Sequence, residues 1–118
     1  MKKILSAGWA DDIYVATNNS VLRYNPVGEI VARYTPNDRT AEINDIVVDY
    51  NKNLYVSINK PSKIIKYDHD TNLIREIGNT RTRVGEFNDP RRMRIDKSEN
   101  LIVLDKGNSR MCKIYNIV

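Results

Sequence analysis

A chain of 118 residues, 41% hydrophobic and 29% charged, has room for one domain and enough apolar content to fold rather than stay disordered. It carries a net charge of +4, with one cysteine, Cys112, which excludes an internal disulfide. The apolar run from residue 4 to residue 9 is too short for a secretory leader or a membrane span, and Asp11 and Asp12 follow at once. The expected location is the cytoplasm, where the Asn18-Asn19-Ser20 sequon has no role.

Taken in order, the chain reads as short β-rich runs separated by turn residues. Residues 3–7 form a weak first strand, followed by strands at 13–17, 21–24 and, after the Asn25-Pro26-Val27-Gly28 turn, 29–34. A second group covers 43–49, 54–58, 63–67 and 73–77, with turns at 50–53, 59–62 and 68–72. The third group has strands around 93–95 and 101–104 and a final strand running into Tyr115, with turns at 97–100 and 106–109. No stretch holds a helical period.

These groups repeat one unit. Ile13-Tyr14-Val15, Leu54-Tyr55-Val56 and Leu101-Ile102-Val103 place valines 41 and 47 positions apart. A second anchor ends in Tyr24, Tyr67 and Tyr115, at steps of 43 and 48. A period of about 40–50 residues holding about four strands is that of a β-propeller blade. The divisions fall at about 1–36, 37–80 and 81–118, and the third unit stops before its last strand. An all-β segment of three four-stranded blades cannot close a ring by itself, since rings take about four to eight blades. Either the chain is a piece of a longer propeller or copies associate; two copies would supply six blades, and a homodimer is placed ahead because symmetric pairs are the commonest oligomers.

The third unit is the most complete, and Phe87, Pro90, Met93, Ile95, Asp96, Val103, Asp105, Asn108, Arg110 and Tyr115 fall in order on the pattern of an NHL repeat. The chain therefore resembles the NHL family of six-bladed propellers. The resemblance implies a charge pair between Asp105 and Arg110 that ties neighbouring strands together. The first two units depart from it, with Ile58 and Lys63 at the matching places of the second and Thr17 in the first.

Catalytic groupings are scarce. His69 is the only histidine, so neither a histidine metal cluster nor a histidine relay can be assembled, and there is no phosphate loop, nucleophile elbow or Cys-x-x-Cys. Asp68, Asp70 and Asn72 have the spacing that opens a calcium loop, but Leu73 and Asn79 stand where glycine and the closing carboxylate belong, so the segment reads as a hairpin turn. No cofactor is expected. Cys112 is read as a small buried hydrophobe, Trp9 as a lid on the core, and the seven tyrosines chiefly as packing.

Charge divides between the two ends of the blades, because strands alternate direction. One end gathers Arg39, Lys60, Arg81, Arg83, Arg91, Arg92 and Lys106 against Asp38, Glu42, Glu86 and Asp89; the other is mainly acidic. Phe87 lies among the arginines. Arginine offers planar bidentate donors to carboxylate or phosphate, and an aromatic beside it suits peptide docking or base stacking. NHL-like propellers include protein binders and binders of single-stranded RNA on such a face. The expectation is a non-enzymatic scaffold that binds a protein or peptide through this loop face. Single-stranded RNA binding through Arg81, Arg83, Arg91 and Arg92 is the alternative, and a remnant of a lyase or hydrolase propeller is a further one.

Overall fold

The computed structural model describes residues 12–78 and 87–115, and these form three antiparallel sheets with no α-helix among them. The first sheet is β1 (Ile13–Ala16), β2 (Val21–Tyr24) and β3 (Ile30–Tyr34). The second is β4 (Glu42–Val48), β5 (Leu54–Asn59), β6 (Lys63–Tyr67) and β7 (Leu73–Ile77). The third is β8 (Pro90–Ile95), β9 (Leu101–Asp105) and β10 (Arg110–Ile114). Strands lie in chain order within each sheet, so every connection is a local hairpin turn. The expected strand at 3–7, together with Trp9, Arg81, Arg83 and Glu86, lies outside the described residues.

Alternation of side chains along a strand sends successive residues to opposite faces, and here both faces of the second sheet are buried. Leu54, Val56 and Ile58 of β5 join Ile65 and Tyr67 of β6 in one apolar cluster with Tyr14, Ala16, Val21 and Tyr34 of the first sheet. Tyr55 and Ile64 point the other way, into a second cluster with Phe87, Met93, Leu101 and Val103. β5 is therefore buried along almost its whole length, which is why Leu54-Tyr55-Val56-Ser57-Ile58 lacks the polar alternation seen elsewhere.

The three sheets share equivalent register positions. Val15, Val56 and Val103 sit opposite Leu22, Ile65 and Cys112 respectively. The leading strands β4 and β8 each carry an irregularity at the same place, between Ile43 and Asp45 and between Pro90 and Arg92. The residue opposite Ile13 is Tyr24, and the residue opposite Leu54 is Tyr67, but the one opposite Leu101 is Ile114. Tyr115 is thus not the third member of the tyrosine series. Pairing places Ile114 there, 47 positions after Tyr67, in step with the valines. The reason is that Cys112 and Ile114 face the second core cluster, so Tyr115 falls beyond the last paired residue and is 63% exposed. Cys112 is half-buried against that cluster.

Leu54 and Ile13 hold equivalent register positions in different surroundings: Leu54 is fully buried between sheets, and Ile13 is 50% exposed. Leu54→Ala should cost about 2–5 kcal/mol in urea denaturation, and Ile13→Ala less than about 1 kcal/mol. Equal losses at the two positions would contradict the packing described.

Candidate functional site

Strand alternation gathers the 17–20, 59–62 and 106–109 turns with the 35–41 and 87–89 connections at one end of the sheets. This rim is knitted across the sheets: Ile43 N–H donates to Asn18 O at 3.0 Å, Thr40 Oγ1 to Lys60 O at 2.8 Å, and Asp89 N–H to Ser62 Oγ at 2.9 Å. Its centre is Asp105, fully buried at the end of β9. One carboxylate oxygen accepts Asn88 N–H at 2.8 Å; the other accepts Asn108 Nδ2 at 2.8 Å and Arg110 Nε at 3.3 Å. Lys106 and Gly107 N–H donate back to Asp89 O at 3.2 Å and Asn88 O at 2.7 Å. A methyl group on Gly107 would stand 2.4 Å from Asn88 O, so only glycine permits this approach.

Asn44 Nδ2 adds bonds to Asp89 Oδ1 at 3.0 Å and Pro90 O at 2.8 Å, and Asp45 Oδ2 accepts Met93 N–H at 2.8 Å, so β4 grips β8 through side chains. The Asp105–Arg110 pair that the family pattern implies is present. In the second sheet, where Ile58 stands in place of the aspartate, Lys63 bridges Asp38 at 2.9 Å and Glu76 at 2.6 Å. Burial lowers the Lys63 pKa, but hydrogen bonds to Glu76 and Asp38 outweigh it and hold the ammonium charged. A cavity of about 130 Å³ lies between the β3–β4 connection and the β6–β7 side of the second sheet, lined by Thr35, Asn37, Asp38, Ile65, Tyr67, Thr71, Leu73 and Glu76.

The basic residues expected on this rim divide into distinct settings. Arg39, Arg92 and Lys106 are exposed. Lys60 is exposed but pairs with Glu42 at 2.8 Å, and half-buried Arg91 pairs with Asp89 at 3.0 Å. Arg92 lies on the outward face of the third sheet as well as near the rim. Phe87 is fully buried in the second core cluster, so it has no ring face to offer a partner: it anchors the end of the connection. Among the described residues the rim is therefore of mixed charge rather than a basic strip flanking an aromatic platform.

The opposite rim repeats one turn four times, in each case closed by the side chain that opens it. Asp49, Asp68 and Asp96 each accept two backbone N–H groups, those of Asn51 and Asn53, Asp70 and Asn72, and Ser98 and Asn100, and each bonds the amide of the closing asparagine. Asn25 does the same for Val27 and Glu29. The fourth turn residue has positive φ each time: Gly28, Lys52, Thr71 and Glu99. The calcium-like spacing at 68–72 is one of these hairpin turns, and among the described residues no group of His, Cys, Asp or Glu is arranged to hold a metal. The hydrogen bond of the closing Asn72 to the Asp68 carboxylate, and the Asn100 N–H on that of Asp96, hold both acids below their usual range.

His69, in the third of these turns, meets Arg23 from the first sheet. Arg23 is buried; its Nη1 lies 2.8 Å from Tyr34 Oη, His69 Nδ1 and His69 O, and its Nε faces Asp12 Oδ2 at 3.4 Å, an ion pair without hydrogen-bond alignment. Nδ1 accepts from a permanent cation, so the imidazole is neutral with its proton on Nε2. Burial, then Arg23 and Lys52, pulls the His69 pKa below the usual 6.5, against the weaker pull of Asp12 and Asp70. The adjoining Tyr14, Tyr34 and Tyr67 rings pack at 6.3 and 5.6 Å, and burial pushes Tyr34 up to about 12.

No protein-family model matches this chain, and no curated protein matches it in sequence. Among solved structures it is similar to a protein of unknown function from Bacteroides caccae, with a TM-score of 0.61 at 14% identity. The match covers 94% of this chain and 44% of that one, so this chain spans less than half the length of its structural relative. The class these observations define is an all-β chain of three consecutive antiparallel sheets stacked face to face. Among the described residues no helix is long and apolar enough to cross a membrane.

Two outcomes follow from this geometry. Asp105→Ala, which orphans three donors around a buried site, should cost about 3–5 kcal/mol, and Gly107→Ala about 1–3 kcal/mol, both read as a lowered urea midpoint. His69 has a folded pKa below its unfolded one, so the unfolded chain binds more protons; the stability it contributes is complete above about pH 6.5 and is lost as pH falls from there through the lower folded value. Thermal melts between pH 7.5 and about 5 should show a decline that His69→Asn reduces; an unchanged pH dependence in that variant would contradict the Arg23–His69 contact.

Proposed function

We propose that this chain is a three-blade segment of an NHL-like β-propeller and serves as a non-enzymatic scaffold that binds a protein or peptide on its knitted rim. The observation that carries this reading is the clasp of Asn88, Asp89, Ser62 and Asp105, which fixes the loop backbones by hydrogen bonds and leaves Arg39 and Lys106 exposed, with Lys60 exposed in its pair with Glu42. A rim held this way meets a ligand without an ordering cost. The equivalent register of the three sheets supports the propeller architecture, although the family pattern is full only in the third.

A peptide suits this rim better than RNA. Single-stranded RNA binding depends on stacked bases and a continuous positive groove. Here the aromatic among the arginines is buried, and Glu42 and Asp89 neutralise Lys60 and Arg91. Alternating carboxylates and cations match a peptide of mixed charge, acidic opposite Arg39 and Lys106.

Selection of displayed random peptides against the chain tests this. Enriched sequences should be acid-rich, and triple charge reversal at Arg39, Lys60 and Lys106 to Glu should weaken them at least about tenfold. Peptides indifferent to the reversal would refute rim docking. Retention of single-stranded RNA with a steep loss in salt, abolished by Ala at Arg81, Arg83, Arg91 and Arg92, would establish the RNA reading instead.

A further inference from the structure

Each sheet has two faces, and register identifies which face of each plays which part. Toward the preceding sheet point Leu54, Val56, Ile65 and Tyr67 in the second sheet and Leu101, Val103, Cys112 and Ile114 in the third. The same positions in the first sheet are Ile13, Val15, Leu22 and Tyr24. Toward the following sheet point Tyr14, Ala16, Val21 and Arg23 in the first sheet and Tyr55, Ser57, Ile64 and Lys66 in the second. Their counterparts in the third are Ile102, Leu104, Met111 and Lys113.

The two end faces thus carry opposite halves of a junction that the molecule already makes twice. Both carry exposed apolar side chains: Ile13 is 50% and Ile30 52% exposed on one, where Leu22 at 6% is covered, and Leu104 36% and Met111 64% on the other. The basic residue tells the same story. Arg23 and Lys66 occupy one register position and are 8% and 4% exposed at their junctions, whereas the Lys113 side chain at that position is 42% exposed. Its ammonium pairs instead with Asp96 Oδ2, from the turn of its own sheet, at 3.1 Å.

We infer that the outward face of the third sheet and the outward face of the first are the two halves of one head-to-tail interface, and that the occupant of each is a second copy of this chain. Two copies joined at both ends contribute six sheets, within the four to eight that close a ring. The inference rests on the propeller reading above, and it makes the scaffold an obligate pair. Both end faces are basic at their edges, Arg33 on one and Arg92 and Arg94 on the other, so pairing needs salt to screen them.

The test is sedimentation velocity at about 0.3 M salt and about 100 µM chain. The wild type should sediment at twice the 13.6 kDa chain mass. Ile13→Glu and Met111→Glu, each checked for an unchanged strand spectrum, should each sediment as a single chain. Mixed one to one they should recover the double mass, because the first variant keeps an intact tail and the second an intact head. A monomeric wild type overturns the inference and leaves the end faces to other polypeptide. A double mass that either substitution leaves intact, or that mixing fails to recover, also overturns it, as a symmetric face-to-face pair would. Arg39, Lys60 and Lys106 are not among the residues assigned to either end face, so a monomer that still binds acidic peptides refutes the pairing alone, and a pair indifferent to rim charge reversal refutes only the rim.

Discussion

The molecule depends on β5 being apolar on both sides. Leu54 and Tyr55 are neighbours in sequence, yet they pack into different cores, one shared with the first sheet and one with the third. A polar residue at either position would face a sheet rather than water, and no shift of register helps, because a one-residue slip merely exchanges the two cores. Everything else is arranged around this central strand: the flanking sheets each bury one side against it, and their remaining sides hold the exposed Ile13 and Ile30 and the exposed Leu104 and Met111.

Polar groups then determine how the stacked sheets are aligned. Apolar contact between sheets is tolerant of sliding, whereas hydrogen bonds to named backbone groups are not. Asp45 on Met93 N–H, Asn44 on Pro90 O and Ser62 on Asp89 N–H fix the second sheet against the third at one end. Arg23, reaching the carbonyl and ring of His69, fixes the first against the second at the other. The buried carboxylate of Asp105 is tolerable because every donor it meets is itself in need of an acceptor.

Much of the fold was legible because strand signals here are dense and turns are short. Leu54-Tyr55-Val56 and its counterparts mark the second strand of each unit, and the structure places them at matching register. The final tyrosine was misread because Ile114 and Tyr115 are both strand formers, and only pairing with Leu101 decides which of them faces inward. Phe87 showed a pattern position and an arginine-rich neighbourhood at once; burial, invisible in sequence, separates the two roles. The rim charges were read singly because their partners, Glu42 for Lys60 and Asp38 for Lys63, come from another part of the chain. The repeated Asp-to-Asn turn is present in the letters, five residues from Asp49, Asp68 and Asp96 to Asn53, Asn72 and Asn100, but only at 68–72 does the expected turn include the opening aspartate; Asp49 goes to the preceding strand and Asp96 to no turn.

Those turns leave a mark on the whole chain. Lys52, Thr71 and Glu99 hold backbone angles in which a side chain costs about 1–2 kcal/mol per residue, while Gly28 fills the same role in the first unit with no such cost. Three of four hairpins are therefore bent against the preference of their own residues, and the aspartate at the start of each supplies the bonds that hold the bend closed. The sheets are tuned below the firmness that the same architecture would reach with glycine at each bend.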